Sequence, residues 1–461
     1  MIRRMAINPI PQFPAGFLWG VSTSAHQIEG AADQREPSVW DTFTAEPGRV
    51  KDGSTAAVAC DHFHRYPEDV ALLGGLGVDA YRFSVSWPRV NSPGGLDFYD
   101  RLVDELCSAG VRPVPTLFHW DLPARLQEKG GWLERDTASR FAEYVSVVAE
   151  RLGDRVQKWI TLNEPAEHTL FGHALGAHAP GKQLMFDALP AAHHQLLGHG
   201  LAVRALRAAG ATDIGIANSH GPTWPASQEP ADLEAAGFYD LLLNRLFADP
   251  VLLGEYPDGL GELMPGDVAA DLKVIGEPLD FYGVNYYSPT KVGAPQGADI
   301  EFGGLTIPAE LPFSVQEIEG VPVTDFGWPV VPEGLTELLT TFRDRYGDRL
   351  PPVVITENGC SYDGLDDQDR IAFLDGHVRA LYRAVEAGVD VRGYFVWSLL
   401  DNFEWAEGYA RRFGLVHVDF DDPATLTRTP KASYAWFSGL LRAQHAQQEE
   451  ERRAGGAVTQ E

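Results

Sequence analysis

Glu164 and Glu357 are the two side chains whose setting most suggests bond-breaking chemistry. Glu164 lies at the end of the run KWITLNEP, which begins at Lys158, and Glu357 at the end of PPVVITENG, which begins at Pro351. Each stands next to an amide, Asn163 and Asn358 respectively. Two carboxyls flanking one bond are what glycoside hydrolysis needs: one protonates the leaving oxygen, and the other attacks or activates water. A lone glutamate at a strand end is more often solvated or salt-bridged. The matched pair, each beside an asparagine, favours function. Other runs end in similar chemistry: Gln27 and Glu29; Arg82 and Trp87; His119, Trp120 and Asp121; Asn285, Tyr286 and Tyr287; Trp397, Asp401, Asn402, Glu404 and Trp405. Indoles offer a flat apolar face to sugar C–H groups. Amides and carboxylates bind hydroxyls.

These residues need a scaffold that gathers strand ends on one face. Eight runs rich in β-branched, aromatic and aliphatic residues recur, starting at Phe17, Ala80, Val111, Lys158, Asp213, Leu279, Pro351 and Arg392. Several are continuously apolar, as expected of strands covered on both faces. Helical patterns alternate with them, among them YPEDVALLGGLG, LDFYDRLVDELCSAG, SRFAEYVSVVAERLG and QDRIAFLDGHVRALYRAVEAG. Eight such repeats predict an α/β fold, a single (β/α)₈ TIM barrel with long βα-loops over its C-terminal face. The runner-up, a doubly wound open sheet, would have fewer strands. The stretch from Pro289 to Trp328 has no helical period and is expected to be loop over the site. The predicted boundaries are a loose segment over 1–12, one catalytic domain over 13–443 and a disordered tail over 444–461.

The chain has 461 residues, 65 of them acidic and 37 basic, for a net charge of −28. This balance argues against nucleic-acid or anionic-lipid partners and suits a neutral small-molecule substrate. Cys60, Cys107 and Cys360 cannot all pair within one chain, so a reducing compartment is the simpler reading. The opening residues lack an apolar signal core, and no run reaches the ~18 apolar residues of a membrane span. A cytoplasmic location and no membrane attachment are therefore expected. Oligomeric state is unknown from the sequence. The segment Gly176–Gln183, GAHAPGKQ, misses a P-loop at its last position, and the histidines lack zinc-site spacing, so no metal is expected.

Four long segments resemble glycoside hydrolase family 1, the β-glucosidase family: FLWGVSTSAHQIEGA, TLNEP, ITENG and WSLLDNFEWAEGYARRFGLVHVDF. The resemblance runs from about Phe13 to Ala443. It implies a retaining β-glucosidase acting on terminal β-D-glucosyl residues of small β-glucosides or cello-oligosaccharides, with no cofactor. It further implies that Glu164 is the acid/base and Glu357 the nucleophile. Gln27, His119, Asn163, Glu404 and Trp405 would bind the sugar hydroxyls, Trp120 would shape that subsite, and Trp397 would form its platform. Arg82 and Tyr287 would hold the nucleophile, Asn285 would join the same network, and Trp328 would line the leaving-group side. One departure is Ala166, where many relatives carry a bulkier side chain facing the leaving group. It is expected to open that entrance.

Overall fold

The computed structural model describes residues 10–257, 259–302 and 305–458. The eight apolar runs become eight parallel strands: β1 Leu18–Ser22, β2 Ala80–Ser84, β3 Arg112–Phe118, β4 Lys158–Asn163, β5 Asp213–Ser219, β6 Phe281–Asn285, β7 Val353–Asn358 and β8 Val391–Trp397. They close into a barrel in the order β1-β8-β7-β6-β5-β4-β3-β2. Closure is made where Leu18 pairs with Gly393 and Ser22 with Trp397 on one side, and Gly20 with Ala80 on the other. β1, β2, β6 and β7 are buried along their whole length, which is why these runs do not alternate.

Each strand contributes one residue to a packed plug inside the barrel: Leu18, Ala80, Val114, Ile160, Ala217, Phe281, Val354 and Phe395. The large members fit because glycines face them. A Cβ on Gly215 would meet the Phe281 ring at 2.5 Å, closer than packed carbons allow. The site above therefore stands on a filled core, not on a pore.

The main helices on the outside are α1 His62–Leu76, α2 Gly95–Ser108, α3 Asp136–Leu152, α4 Leu189–Ala208, α5 Val268–Ile275, α6 Pro332–Tyr346, α7 Gln368–Glu386 and α8 Ala432–Val458. Their burial follows helical spacing. In α3 the buried set includes Phe141, Tyr144, Val145, Val148 and Leu152, a stripe of three- and four-residue steps. α1 ends at Gly77, whose φ of +84° is the left-handed conformation that terminates helices without a Cβ penalty. Among the described residues no helix is long and apolar enough to cross a membrane.

Three features differ from the sequence reading. The helical pattern after β5 is split: Pro230–Asp240 continues through a widened turn, Leu241–Arg245, into Leu246–Leu252, and α5 follows separately. The Pro289–Trp328 stretch is not bare loop. It supplies Thr290–Gly293 and Ser314–Gln316, which pair antiparallel, while Thr290–Gly293 also pairs with Thr223–Pro225. The expected disordered tail is a correction. α8 runs on to Val458, and Gln444, only 1% exposed, ties the chain's two ends together. Its side chain accepts from the Phe13 amide at 3.1 Å and donates to the Pro11 carbonyl at 3.0 Å. Gln12 donates to the Gln444 carbonyl at 3.0 Å, so the first described residues are anchored as well. The polar composition that suggested disorder belongs to a helix that needs only one buried face. Residues 1–9 and 459–461 of the two terminal segments lie outside the described residues.

Candidate active site

The C-terminal ends of the strands surround a cavity of about 470 Å³. Glu164, Glu357, His119, Trp120, Tyr287, Trp328, Trp397, Glu404 and Trp405 all line it. Gln27, Arg82, Asn163 and Asn285 stand directly behind, each buried. The strands aim these groups by breaking their own regularity. Pairing of β7 shifts register between Ile355 and Glu357, and that of β4 between Ile160 and Asn163. Val354 points into the barrel plug. Strict alternation from it would turn Glu357 away from the axis, and the irregularity re-aims it. Three wall residues, Trp120, Glu164 and Trp405, adopt left-handed φ values of 74°, 45° and 49°. Such backbone costs about 1–3 kcal/mol per residue and is kept where the surroundings enforce it.

The two glutamates sit in different environments. Glu357 lies between a cation and a phenol: Arg82 Nη1 donates to Oε1 at 2.5 Å and Tyr287 OH to Oε2 at 2.7 Å. Glu164 is held by neutral amides. Asn285 Nδ2 donates to Oε1 at 2.8 Å and Asn163 Nδ2 to Oε2 at 3.2 Å. Burial first, then the charges of Glu357 and Glu167, push the Glu164 carboxyl well above the usual range. One guanidinium links the two halves, because Arg82 Nη2 also donates to Asn163 Oδ1 at 2.6 Å. Thr116 and Thr356 complete this layer: Arg82 Nε donates to Thr116 Oγ1 at 3.1 Å, and Thr356 Oγ1 donates to Asn285 Oδ1 at 2.6 Å.

Opposite lies a third carboxyl. Glu404 accepts from Gln27 Nε2 at 3.3 Å, and the same amide donates to the Phe403 carbonyl at 2.9 Å. Burial, then the charges of Glu357 and Glu407, push Glu404 up to about 8. His119 stacks on Trp397 and Trp405, with centroids 5.8 and 6.0 Å away. Burial, then Arg82, holds its ring neutral, well below the usual imidazole range. His119 Nδ1 is buried without a hydrogen-bond partner among the described residues, and Trp397 lines the same cavity. An unpaired polar atom beside indole faces suits a ligand that carries both hydroxyls and apolar C–H surface.

Several lining residues were not singled out from the sequence. Glu167, Ser219, His220 and Asn244 form a polar wall on the Glu164 side, and Phe326 and Phe413 join Trp328. Burial pushes the Glu167 carboxyl up to about 7, with the Ser219 hydroxyl opposing. Its position three residues after Glu164 on one short helix was a readable signal. His178, from the GAHAPGKQ segment, also lines the cavity. Ala166 requires a correction. It does not line this cleft; it is 2% exposed and faces a smaller apolar cavity beside it. Among the described residues no group of three or more His, Cys, Asp or Glu side chains is placed to hold a metal ion.

The model of the family described as glycosyl hydrolase family 1 matches residues 10–446. Beta-glucosidase A of Thermotoga maritima is 42% identical over 455 residues, covering 94% of this chain and 98% of the relative. The crystal structure of the psychrophilic β-glucosidase BglU from Micrococcus antarcticus superposes with a TM-score of 0.89 at 44% identity, over 95% of this chain and 100% of that one. The Thermotoga maritima β-glucosidase in complex with glucoimidazole superposes with a TM-score of 0.87 at 42% identity, over 94% and 99% of the two chains.

Proposed function

Because the chain belongs to glycosyl hydrolase family 1, we propose that it is a retaining β-glucosidase that removes terminal non-reducing β-D-glucosyl residues from small β-glucosides, including cello-oligosaccharides. The observation that carries this reading is the asymmetric pair: one carboxyl held by Arg82 and Tyr287, the other buried among neutral amides, both facing one cavity. The β-glucosidases at 42–44% identity, one of them bound to glucoimidazole, support it.

In the first step a Glu357 oxygen attacks the anomeric carbon while the Glu164 proton passes to the glycosidic oxygen. The C1–O bond breaks, the alcohol departs, and an α-linked glycosyl ester remains. In the second step Glu164, now a carboxylate, takes a proton from water. That water attacks C1, expels Glu357 and regenerates both groups. Two inversions leave a β-product. The mechanism needs no cofactor or metal. It requires carboxyls about 5–5.5 Å apart, against ~6.5–9.5 Å for inversion.

Arg82, Tyr287 and Asn285 act here as positioning residues, holding Glu357 and Glu164. Trp397 is the platform beneath the sugar. Gln27, His119, Trp120, Asn163, Glu404 and Trp405 recognise its hydroxyls, and Trp328 borders the leaving group. The substrate is a small molecule, neither nucleic acid nor membrane, and the site of action is the cytoplasm. A panel of nitrophenyl glycosides, with the first-formed anomer read by NMR, tests the reading. β-Glucose from the β-glucoside is expected. Initial α-glucose, or no turnover on any β-glycoside, would overturn it.

A further inference from the structure

We propose that Arg370 is a positioning residue for the glycosidase reaction: from the helix layer outside the barrel, its buried guanidinium fixes the spacing between the nucleophile Glu357 and the platform Trp397. The proposal rests on the β-glucosidase reading of the main cleft. Arg370 is the third residue of α7, is 1% exposed and stands behind the cleft wall, not on it. All five of its N–H groups have acceptors. Nε donates to Asp367 Oδ2 at 2.6 Å. Nη1 donates to the carbonyls of Cys360 and Phe413, the latter at 3.0 Å. Nη2 donates to the carbonyls of Tyr362 and Arg412 at 2.6 and 2.7 Å.

The four carbonyls belong to the two segments that continue from the strands carrying Glu357 and Trp397. Cys360 and Tyr362 follow β7; Arg412 and Phe413 lie in the loop beyond β8. The ladder between these strands ends where Asn358 pairs with Val396. Past that point the backbones stay close, and a Cβ on Gly359 would collide with the Trp397 carbonyl. The Phe413 carbonyl that takes Nη1 also accepts from the amide of Ser398, the residue after Trp397, at 3.2 Å. One guanidinium therefore bridges the chain just past the nucleophile to the chain just past the platform. The Phe413 ring lines the cleft beside Trp328, with centroids 5.9 Å apart. The anchor is itself tied to α8: Asp367 accepts from the Ser433 amide at 2.8 Å and from its hydroxyl at 2.6 Å. A planar fork of five donors holds these acceptors in one fixed relation. A lysine ammonium has three donors, so it would leave at least two of the five acceptors buried without a partner.

The test compares Arg370→Lys and Asp367→Asn with the wild type and with Gln444→Ala, which weakens the tie between the chain ends and leaves the cleft untouched. Working sites are counted from the dinitrophenolate released in the burst with 2,4-dinitrophenyl 2-deoxy-2-fluoro-β-glucoside. The kcat on nitrophenyl β-glucoside is then expressed per counted site, which removes losses due to unfolded protein. Arg370→Lys should lose about ten- to a hundredfold in kcat per site, the effect of displacing a reacting group, while KM rises by no more than about threefold. Asp367→Asn, which keeps the guanidinium but removes its anion, should fall in the same direction by a smaller factor. Gln444→Ala should keep the wild-type kcat per site. An unchanged kcat per site in both variants, a loss carried by KM, or an equal loss in Gln444→Ala would overturn the proposal. So would the absence of countable sites in both variants, which would make Arg370 a folding requirement. A wild type that gives no burst and hydrolyses no β-glucoside would overturn the β-glucosidase reading and the proposal with it.

Discussion

Burial does more than charge to raise the Glu164 carboxyl above the usual range. Desolvation is the larger cause, with the charges of Glu357 and then Glu167 adding to it. An acid works while it holds its proton, so kcat/KM should fall as pH rises through the Glu164 pKa. Glu167→Gln removes a charge that keeps that pKa high. Its alkaline limb should therefore move to lower pH while the limb on the acid side stays in place, as a pH profile of kcat/KM on nitrophenyl β-glucoside would read. An unmoved alkaline limb would remove Glu167 from the account. The same loss of solvent puts Glu404 at about 8. Residue types were legible in the sequence because motif and chemistry coincide there. Thr116 and Thr356 were not, because a hydroxyl acquires its role only from the partner that the fold brings to it.

At the scale of elements, the eight strand runs were readable because β1, β2, β6 and β7 are buried on both faces and carry continuous apolar stretches. The register shifts in β4 and β7 were not readable. They depend on pairing with neighbours far along the chain, and the one in β7 decides where Glu357 points. The π-type widening at His168–Ala174, which places Leu170 and Phe171 on the cavity wall, is invisible to a 3.6-residue pattern because its period is wider. Composition misled at the C-terminus. The glutamine- and glutamate-rich stretch is helical, and Gln444 is a buried tie to Pro11, Gln12 and Phe13. Gln444→Ala strands buried backbone groups. It should cost about 1–3 kcal/mol, measured as a lower urea midpoint at unchanged slope, with kcat unaltered. Full stability in that variant would mean the two ends are not coupled.

At the scale of the whole molecule, the barrel's contribution is to bring the ends of distant strands around one cavity on a filled core, and charge follows the same plan. A net charge of −28 surrounds a cavity whose wall carries Glu164, Glu167, Glu357, Glu404 and Glu407 against Arg49 and Lys51. Lys51 is paired with Glu407 at 2.5 Å and Arg49 with Glu46 at 2.8 Å. Arg411 and Arg412, which follow Glu407 in the segment EGYARR, are held by other groups. Arg411 contacts Glu407 at 3.2 Å, and Arg412 donates to the Val418 carbonyl at 3.0 Å. A 6-phosphorylated glucoside would bring a charge of roughly −1.5 to −2 into this field. Nitrophenyl β-glucoside should exceed its 6-phosphate in kcat/KM by at least a hundredfold, and the ratio should grow with pH as Glu404 ionises. Parity would contradict the substrate class. The central claim, that Glu357 attacks and Glu164 delivers the proton, is tested most directly by azide rescue of the two alanine variants on an activated β-glucoside. Glu357→Ala alone should lose at least about a thousandfold in kcat. With azide, Glu164→Ala should yield the β-glycosyl azide and Glu357→Ala the α-glycosyl azide. The opposite pairing of variant and anomer would contradict the account.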